Sequence, residues 1–220
     1  MNTEIRSSSR DHSTCCYCHK PATTKDHVPP KNIFPKPRPT NLITVPSCKF
    51  CNKDPSLDDE YFGFIIAAGS ADFSQARELF REKVKKKTKK HIALAKSILN
   101  NIRTKDIYSG KIYLGTQDEL KIDDVRINRI MVRITKGFYW HHFRKPLPVN
   151  HEIKVSIILP EFNQSQRNMI ISLKNNIIGD DVLQYRYYRD PNNLLITYWF
   201  FLFFKRLLIM TTSDLELIDT

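Results

Sequence analysis

Four cysteines constrain the fold of this chain most, because they form two Cys-x-x-Cys pairs within its first quarter. The pairs are Cys15/Cys18 and Cys48/Cys51, and 29 residues separate them. Two such pairs are typical of a tetrahedral zinc site in which all four ligands are thiolates. The sequence therefore predicts a structural zinc ion held by these four residues. Cys16 does not fit the spacing and is predicted to be a free thiol.

The segment around these pairs has little else to hold it together. Residues 15–62 contain all five cysteines and eight of the 12 prolines of the chain. Proline fixes its own backbone angle and lacks an N–H donor, so a segment this rich in proline does not form long regular elements. A bound metal can supply the folding free energy that a small core does not. We therefore predict a zinc-stapled module over residues 14–70, preceded by a polar, serine-rich and disordered tail over residues 1–13.

The rest of the chain, residues 71–220, has the pattern of helices followed by a sheet. The segment from Asp72 to about Lys105 contains no Gly or Pro, and its apolar residues recur at helical spacing. A second helix is predicted from about Asp123 to His142, with acidic residues in its first turn and Pro146 beyond its end. A short strand, KIYLG, lies between them, and four later runs predict an antiparallel sheet: EIKVSIIL, DDVLQYRYYR, NLLITYWFFLF and RLLIMTT. The fold class is therefore α+β.

The positive charge of the chain is concentrated in the first of these helices. The whole chain has a formal net charge of +12, and residues 76–105 hold 11 Lys or Arg against two Glu. Such a patch favours a polyanionic partner, DNA first, because lysines bind phosphate without reading sequence. A solvated helix face is the other interpretation of a lysine run. The residues predicted to contact the DNA backbone are Lys83, Lys85, Lys86, Lys87, Lys89 and Lys90.

Between the cysteine pairs, and just after them, lie residues suited to phosphodiester hydrolysis. That reaction needs an activated water, a base for its proton and a cation to neutralise charge on the phosphate. The carboxylate of Asp26 suits a hard divalent cation, and the imidazole of His27 suits the base. Neighbouring strand residues point to opposite sides, so these two groups could act separately. Asn41 can fix the loop, and Asn52 can complete a metal site through its carbonyl oxygen.

The stretches CCYC, KDHVPP, NLITVPSC and CKFCN resemble the HNH endonucleases, in the branch where four cysteines bracket a ββα-metal hairpin. The resemblance covers about residues 15–62. It implies DNA cleavage with Mg²⁺ or another divalent ion. Because the lysine run binds phosphates without reading bases, we also expect loose sequence specificity. Carried over residue by residue, it implies Asp26 as metal ligand, His27 as general base, Asn41 as the loop-positioning residue and Asn52 as the last metal ligand.

One departure from the family pattern bears on the metal site. The chain reads Asn52-Lys53-Asp54-Pro55 where many members of the family have a lysine three residues after the Asn. Pro55 would end or kink a helix before its second turn. If that helix is too short to direct Asn52 at the ion, the alternative ligands are Asp54, Asp58 and Asp59.

Two further interpretations of the sequence concern location and rival functions. The N-terminus lacks the apolar core of a signal peptide, which predicts a cytoplasmic protein with reduced cysteines. The apolar run Leu194–Phe204 has 11 residues, whereas a membrane-spanning helix needs about 20, so we expect a buried strand and no membrane partner. The rivals to a nuclease are a catalytically inert zinc-ribbon module that binds nucleic acid, and a membrane-surface protein using Lys83–Lys90 and the apolar stretch Leu194–Phe204. One HNH site cuts one strand at a time, so a double-strand break needs a homodimer or two encounters.

Overall fold

The computed structural model describes residues 14–53, 56–85, 89–157 and 162–213. Within these ranges it has a mixed α+β fold with antiparallel sheets, which confirms the predicted fold class at that level. Several predictions lie outside the described residues: the disordered tail over 1–13, the DNA contacts of Lys86 and Lys87, and the effects of Asp54 and Pro55. Within the described ranges, no helix is both long and apolar enough to cross a membrane.

The cysteine-rich segment forms a hairpin followed by helices. Strand β1, Thr24–His27, pairs antiparallel with β2, Thr44–Ser47, and places Asp26 opposite Val45. The proline-rich loop between the strands contains one 3-10 turn, Lys31–Ile33. Helix α1, Lys49–Lys53, follows β2 directly, and α2, Ser56–Ala68, comes next. The order of elements in this segment is therefore strand, strand, helix.

The lysine-rich segment is two helices and a strand, not the single helix predicted to about Lys105. Helix α3 is Ser74–Lys85, α4 is Lys89–Asn100, and strand β3 begins at Ile102 and ends at Ser109. β-branched and aromatic residues in β3 favour a strand, and Gly110, at φ +61°, supplies the turn. Strand β4, Ile112–Leu120, includes all but the first residue of the predicted strand KIYLG and pairs with β3.

The second predicted helix is confirmed as α5, Asp124–Phe143. Its N-cap is Asp123, whose side chain accepts a hydrogen bond from the backbone N–H of Arg126 at 3.2 Å. The predicted sheet is confirmed, with spatial order β5-β9-β8-β7-β6 and antiparallel pairs throughout. Its strands are β5 Lys154–Ser156, β6 Asn176–Ile178, β7 Leu183–Arg189, β8 Thr197–Phe203 and β9 Leu207–Ser213. Helix α6, Gln164–Ser172, and strand β6 were not predicted.

Helix α5 lies at the centre of the core. On one side its Phe138 ring packs against Tyr185 and Phe201 of the sheet, with ring centroids 4.6 and 5.3 Å apart. On the other side the Val28 side chain of the hairpin packs directly against Gly137, because a Cβ at Gly137 would lie 2.6 Å from Val28 Cγ2. The buried apolar core thus extends across residue 70, where the sequence had suggested a boundary. The hairpin is positioned by a helix more than 100 residues later in the chain.

His142, near the end of α5, is expected to make stability depend on pH. Its Nε2 lies 3.0 Å from the Tyr185 hydroxyl, and its ring packs on Tyr187 at 4.3 Å between centroids. Burial lowers the pKa of His142 to about 4, from an ordinary value near 6.5. The folded state therefore holds this imidazole neutral, and its contribution to stability is present above pH 6.5 and lost as the pH falls towards 4. We expect this to remove about 2–3 kcal/mol over that window.

The measurement is urea unfolding of wild type and His142→Gln at pH 7.5 and pH 4.5. The variant should lose less free energy of unfolding between these two pH values than wild type does. His141→Gln is the matched control, because it makes the same change at the neighbouring position. Burial also lowers the pKa of His141, but by less than that of His142, so the control should lose a smaller part of the pH dependence. An equal response from both variants would contradict the assignment to His142.

Candidate functional site

The four paired cysteines come together as a metal-binding group. Their Sγ atoms all lie within 4.8 Å of one another. The first knuckle is a tight turn in which the backbone N–H of His19 donates to Cys15 O at 3.0 Å. The second is the first turn of α1, where the backbone N–H of Cys51 donates to Cys48 Sγ at 3.4 Å and lowers the pKa of that thiol. Four convergent thiols fit a structural zinc ion, as the spacing predicted.

Cys16 lies outside this group, as its position in the sequence indicated. Its side chain is fully buried, and its backbone N–H donates to Pro46 O at 3.0 Å in the hairpin. Burial raises the pKa of the Cys16 thiol. A thiol that is both buried and protonated is a poor nucleophile and a poor ligand, so Cys16 acts as a small apolar residue in the core.

Strand β1 separates the side chains of Asp26 and His27. Asp26 is buried with 8% of its surface exposed, whereas its two neighbours in the strand are exposed or half-buried. His27 lies on the opposite side and is half-buried, level with Thr44 of β2. Burial, followed by the positive charge of Lys31, lowers the pKa of His27 below its ordinary value. The imidazole is therefore neutral at pH 7 and able to accept a proton.

Asp26 is bound on its buried side by two side chains. The Tyr17 hydroxyl donates to Asp26 Oδ2 at 2.7 Å, and Arg133 of α5 forms an ion pair with the same oxygen. The guanidinium of Arg133 also approaches Asp59 Oδ1 of α2, with Nη1 at 3.4 Å. One cation thus lies between two carboxylates. Burial raises the pKa of Asp59 to about 7 in spite of the opposing effect of Arg133.

The described residues do not assemble a ligand set for a catalytic divalent ion. Among them, the four cysteines are the one group of three or more His, Cys, Asp or Glu side chains close enough to share an ion. Asp26 is instead neutralised by Arg133, which lies where a cation would be expected. The donor set therefore fits zinc at the cysteines but does not, in this arrangement, fit a magnesium ion at Asp26.

The side-chain amides of the two predicted asparagines both donate hydrogen bonds to backbone carbonyl oxygens. Asn52 Nδ2 donates to Thr24 Oγ1 at 3.0 Å and to Lys25 O at 3.1 Å, which ties α1 to β1. Asn41 Nδ2 donates to Ile177 O at 3.1 Å, which ties the long loop to strand β6. Asn41 thus fixes the loop, although its hydrogen bonds run to the sheet and not to the imidazole of His27.

The alternative metal ligands on α2 are also occupied by arginines. Asp58 accepts hydrogen bonds from Arg126 Nε and Arg129 Nε, both at 2.8 Å. Asp59 shares Arg133 with Asp26, so it is the alternative that lies closest to the predicted ligand.

One predicted DNA contact, Lys83, is wrong. Its side chain is 1% exposed, and its Nζ forms an ion pair with Glu60 Oε2 of α2 at 3.2 Å. The ammonium group also lies 5.6 Å from the centre of the Phe64 ring. Gly63 makes room for it, since a Cβ there would lie 2.5 Å from Lys83 Nζ. A charge buried and paired in this way does not bind phosphate. Of the other predicted lysines, Lys85 is exposed on α3, while the side chains of Lys89 and Lys90 lie outside the described residues.

A groove beside the outer side of the hairpin was not predicted from the sequence. It has a volume of about 590 Å³, and its lining includes Lys25, Thr44, Trp140 and Arg144. Lys25 and Arg144 are both exposed, and the guanidinium of Arg144 lies 5.0 Å from the centre of the Trp140 ring. Thr44 is the strand partner of His27, although His27 itself does not line the groove. Arg144 lies just past the predicted end of α5, where sequence alone gave no reason to join it to the hairpin.

No protein-family model, curated protein or solved structure matches the chain. Its function therefore has to be inferred from its own residues. Those residues form a four-thiol metal site, a histidine whose strand partner lines a cationic groove, and a buried carboxylate bound to an arginine.

Proposed function

We propose that the chain is a divalent-metal-dependent endonuclease of the HNH type, which hydrolyses DNA phosphodiester bonds with loose sequence specificity. The observation that carries this proposal is the placement of Asp26 and His27. They are neighbours on a strand of a hairpin whose ends lie at the four-cysteine group, and they face opposite sides. A base and a carboxylate on opposite sides of one rigid strand can serve water activation and cation binding separately.

The role of His27 in the proposed reaction is general base. Its pKa is lowered by burial and then by Lys31, so the neutral imidazole predominates at pH 7. A neutral imidazole within reach of the attacking water can take its proton as the oxygen bonds to phosphorus. Lys31 also adds positive charge near the position where an anionic phosphate would lie.

The groove lined by Thr44, the strand partner of His27, supplies the proposed contacts to DNA. Lys25 and Arg144 line it with two exposed cations, in a chain whose formal net charge is +12. Contacts from such side chains to phosphates carry no sequence information, which favours loose sequence specificity. These two residues replace Lys83 in the proposed DNA-binding surface.

The divalent ion that the family resemblance implies would neutralise charge on the phosphate and promote ionisation of water. Asp26 is the residue that would hold it, with Asn52 or Asp59 as the further ligand. Such an ion has to compete with Arg133 for the Asp26 carboxylate. We therefore expect weak metal affinity at this site in the protein without DNA.

A second candidate function is favoured by that same ion pair. If Arg133 remains bound to Asp26, the hairpin is a zinc-stapled scaffold and the groove at Lys25 and Arg144 binds nucleic acid without cutting it. Asp26 is then a structural residue that joins β1 to α5.

Incubation of purified protein with supercoiled plasmid, and with Mg²⁺, Mn²⁺ or no added metal, separates the two candidates. We expect nicked or linear DNA only with added metal, and no product from Asp26→Asn purified in the same way. Fluorescence anisotropy with a labelled duplex should show binding that weakens steeply with salt. Binding without cleavage under every metal would support the scaffold candidate, and absence of both would overturn the two together.

A further inference from the structure

The ribbon formed by β3 and β4 stands apart from the rest of the fold. Its strands, Ile102–Ser109 and Ile112–Leu120, pair only with each other among the described strands, so both outer edges of the ribbon are open. Seven of the eight residues of β3 are exposed. An isolated two-stranded ribbon is at best marginally stable in water, and open strand edges tend to pair with another chain. The ribbon therefore lacks a cover within the described residues.

The end of this ribbon carries four large apolar side chains in contact with water. Tyr108 and Tyr113 are 56% and 54% exposed, and their rings meet edge to face with centroids 5.5 Å apart. Ile112 and Leu114 are 68% and 63% exposed. Tyr113 lies on one face of the strand with its partner Tyr108, and Ile112 and Leu114 lie on the other. Single exposed apolar residues are ordinary, but apolar side chains on both faces of one ribbon end are typical of an interaction surface.

The charge of the ribbon indicates which partner it fits. Residues 102–120 contain three cations, Arg103, Lys105 and Lys111, and three acids, Asp106, Asp118 and Glu119, so the formal charge of the ribbon is zero. The remainder of the chain carries the whole net charge of +12. A neutral apolar arm is a poor ligand for phosphate. Through such a surface, however, two strongly cationic chains can meet without bringing like charges together.

We propose that the β3–β4 ribbon is a self-association surface whose partner is the ribbon of a second copy of this chain. Open edges on both ribbons allow strand pairing across a twofold axis, which uses the same residues on each copy. The contact buries Ile112 and Leu114, together with the tyrosine pair, on both copies. This proposal does not depend on nuclease activity.

Sedimentation velocity over a range of protein concentrations tests the proposal. The mass of wild type should rise with concentration to twice the 25.8 kDa of one chain. The double variant Ile112→Ser, Leu114→Ser should raise the dissociation constant on the order of a hundredfold, because it removes two apolar side chains from each copy. Neither change alters charge, so DNA binding through phosphates should not change.

The matched control is the double variant Val125→Ser, Ile171→Ser, whose original residues are 64% and 69% exposed on α5 and α6. It should dimerise like wild type. A wild type that stays at 25.8 kDa at every concentration overturns the proposal, and so does an equal loss in both double variants. A monomeric wild type whose DNA affinity falls only in the ribbon variant would assign the ribbon to DNA instead. Circular dichroism confirms folding, and Tyr113→Ser repeats the test with a single change.

Discussion

Replacing Cys48 with serine is expected to remove the zinc ion and to cost the protein several kcal/mol of folding free energy. A serine hydroxyl does not replace a thiolate in a tetrahedral zinc site. Structural zinc binds zinc-finger peptides with a free energy on the order of 10–16 kcal/mol, comparable to the total stability of a domain. Cys48 also directly precedes α1, and Cys51 and Asn52 of that helix donate backbone hydrogen bonds to its Sγ and carbonyl oxygen. Its loss therefore loosens the link between β2 and α1.

The measurements are zinc content per chain by mass spectrometry and the free energy of unfolding by urea titration. Cys16→Ala is the matched control, because Cys16 is a buried thiol that lies outside the zinc group. It should keep one zinc ion and lose only about 1 kcal/mol for the small cavity left behind. A Cys48→Ser protein with a full zinc ion and unchanged unfolding would show that the four thiols are not a zinc site.

Replacing His27 with alanine is expected to slow DNA cleavage by about 10²- to 10⁴-fold, the usual contribution of a general base. Binding of DNA should not change, since the cations that line the groove are Lys25 and Arg144. Zinc content should not change either, because His27 is not a member of the four-thiol group. The rate of plasmid nicking with excess protein, measured beside duplex affinity, separates a chemical defect from a binding defect.

The control for this change is His141→Ala, which removes a half-buried histidine of α5 that lies outside the hairpin. It should cleave at the wild-type rate. A His27→Ala protein that cleaves as fast as wild type would remove His27 from the mechanism. A variant that loses affinity and rate by the same factor would make it a DNA contact.

The parts of this protein that the sequence predicted well depend on local rules. The Cys-x-x-Cys spacing is set by a turn that presents two thiols to one ion, so the zinc ligands could be identified before any fold was known. Helix α5 was identified because its cap, its periodicity and its end are all encoded within about 25 residues. Strand β8 was identified because a run of 11 apolar residues is too short to span a membrane but suits a buried strand.

The parts that the sequence did not predict depend on contacts between distant residues. Arg133 binds Asp26 across 107 positions, and no local pattern joins them. Lys83 belongs to a run of lysines that the sequence does not distinguish from one another. It is buried because α2 supplies Glu60 as its ion-pair partner and leaves space at Gly63. Strand β3 was included in the preceding helix because its residues follow a strongly helical segment without an intervening Gly or Pro.

The long loop between β1 and β2 is anchored far from the cysteines that bracket it. Asn41 bonds to Ile177, and the ring of Phe34 lies where a side chain at Gly179 would have to be, at 2.7 Å from a Cβ built there. If residues 14–70 were transplanted into another protein, the Phe34 ring would lose its packing against Gly179. The hairpin therefore depends on a segment more than 130 residues later in the chain for the packing of its own loop.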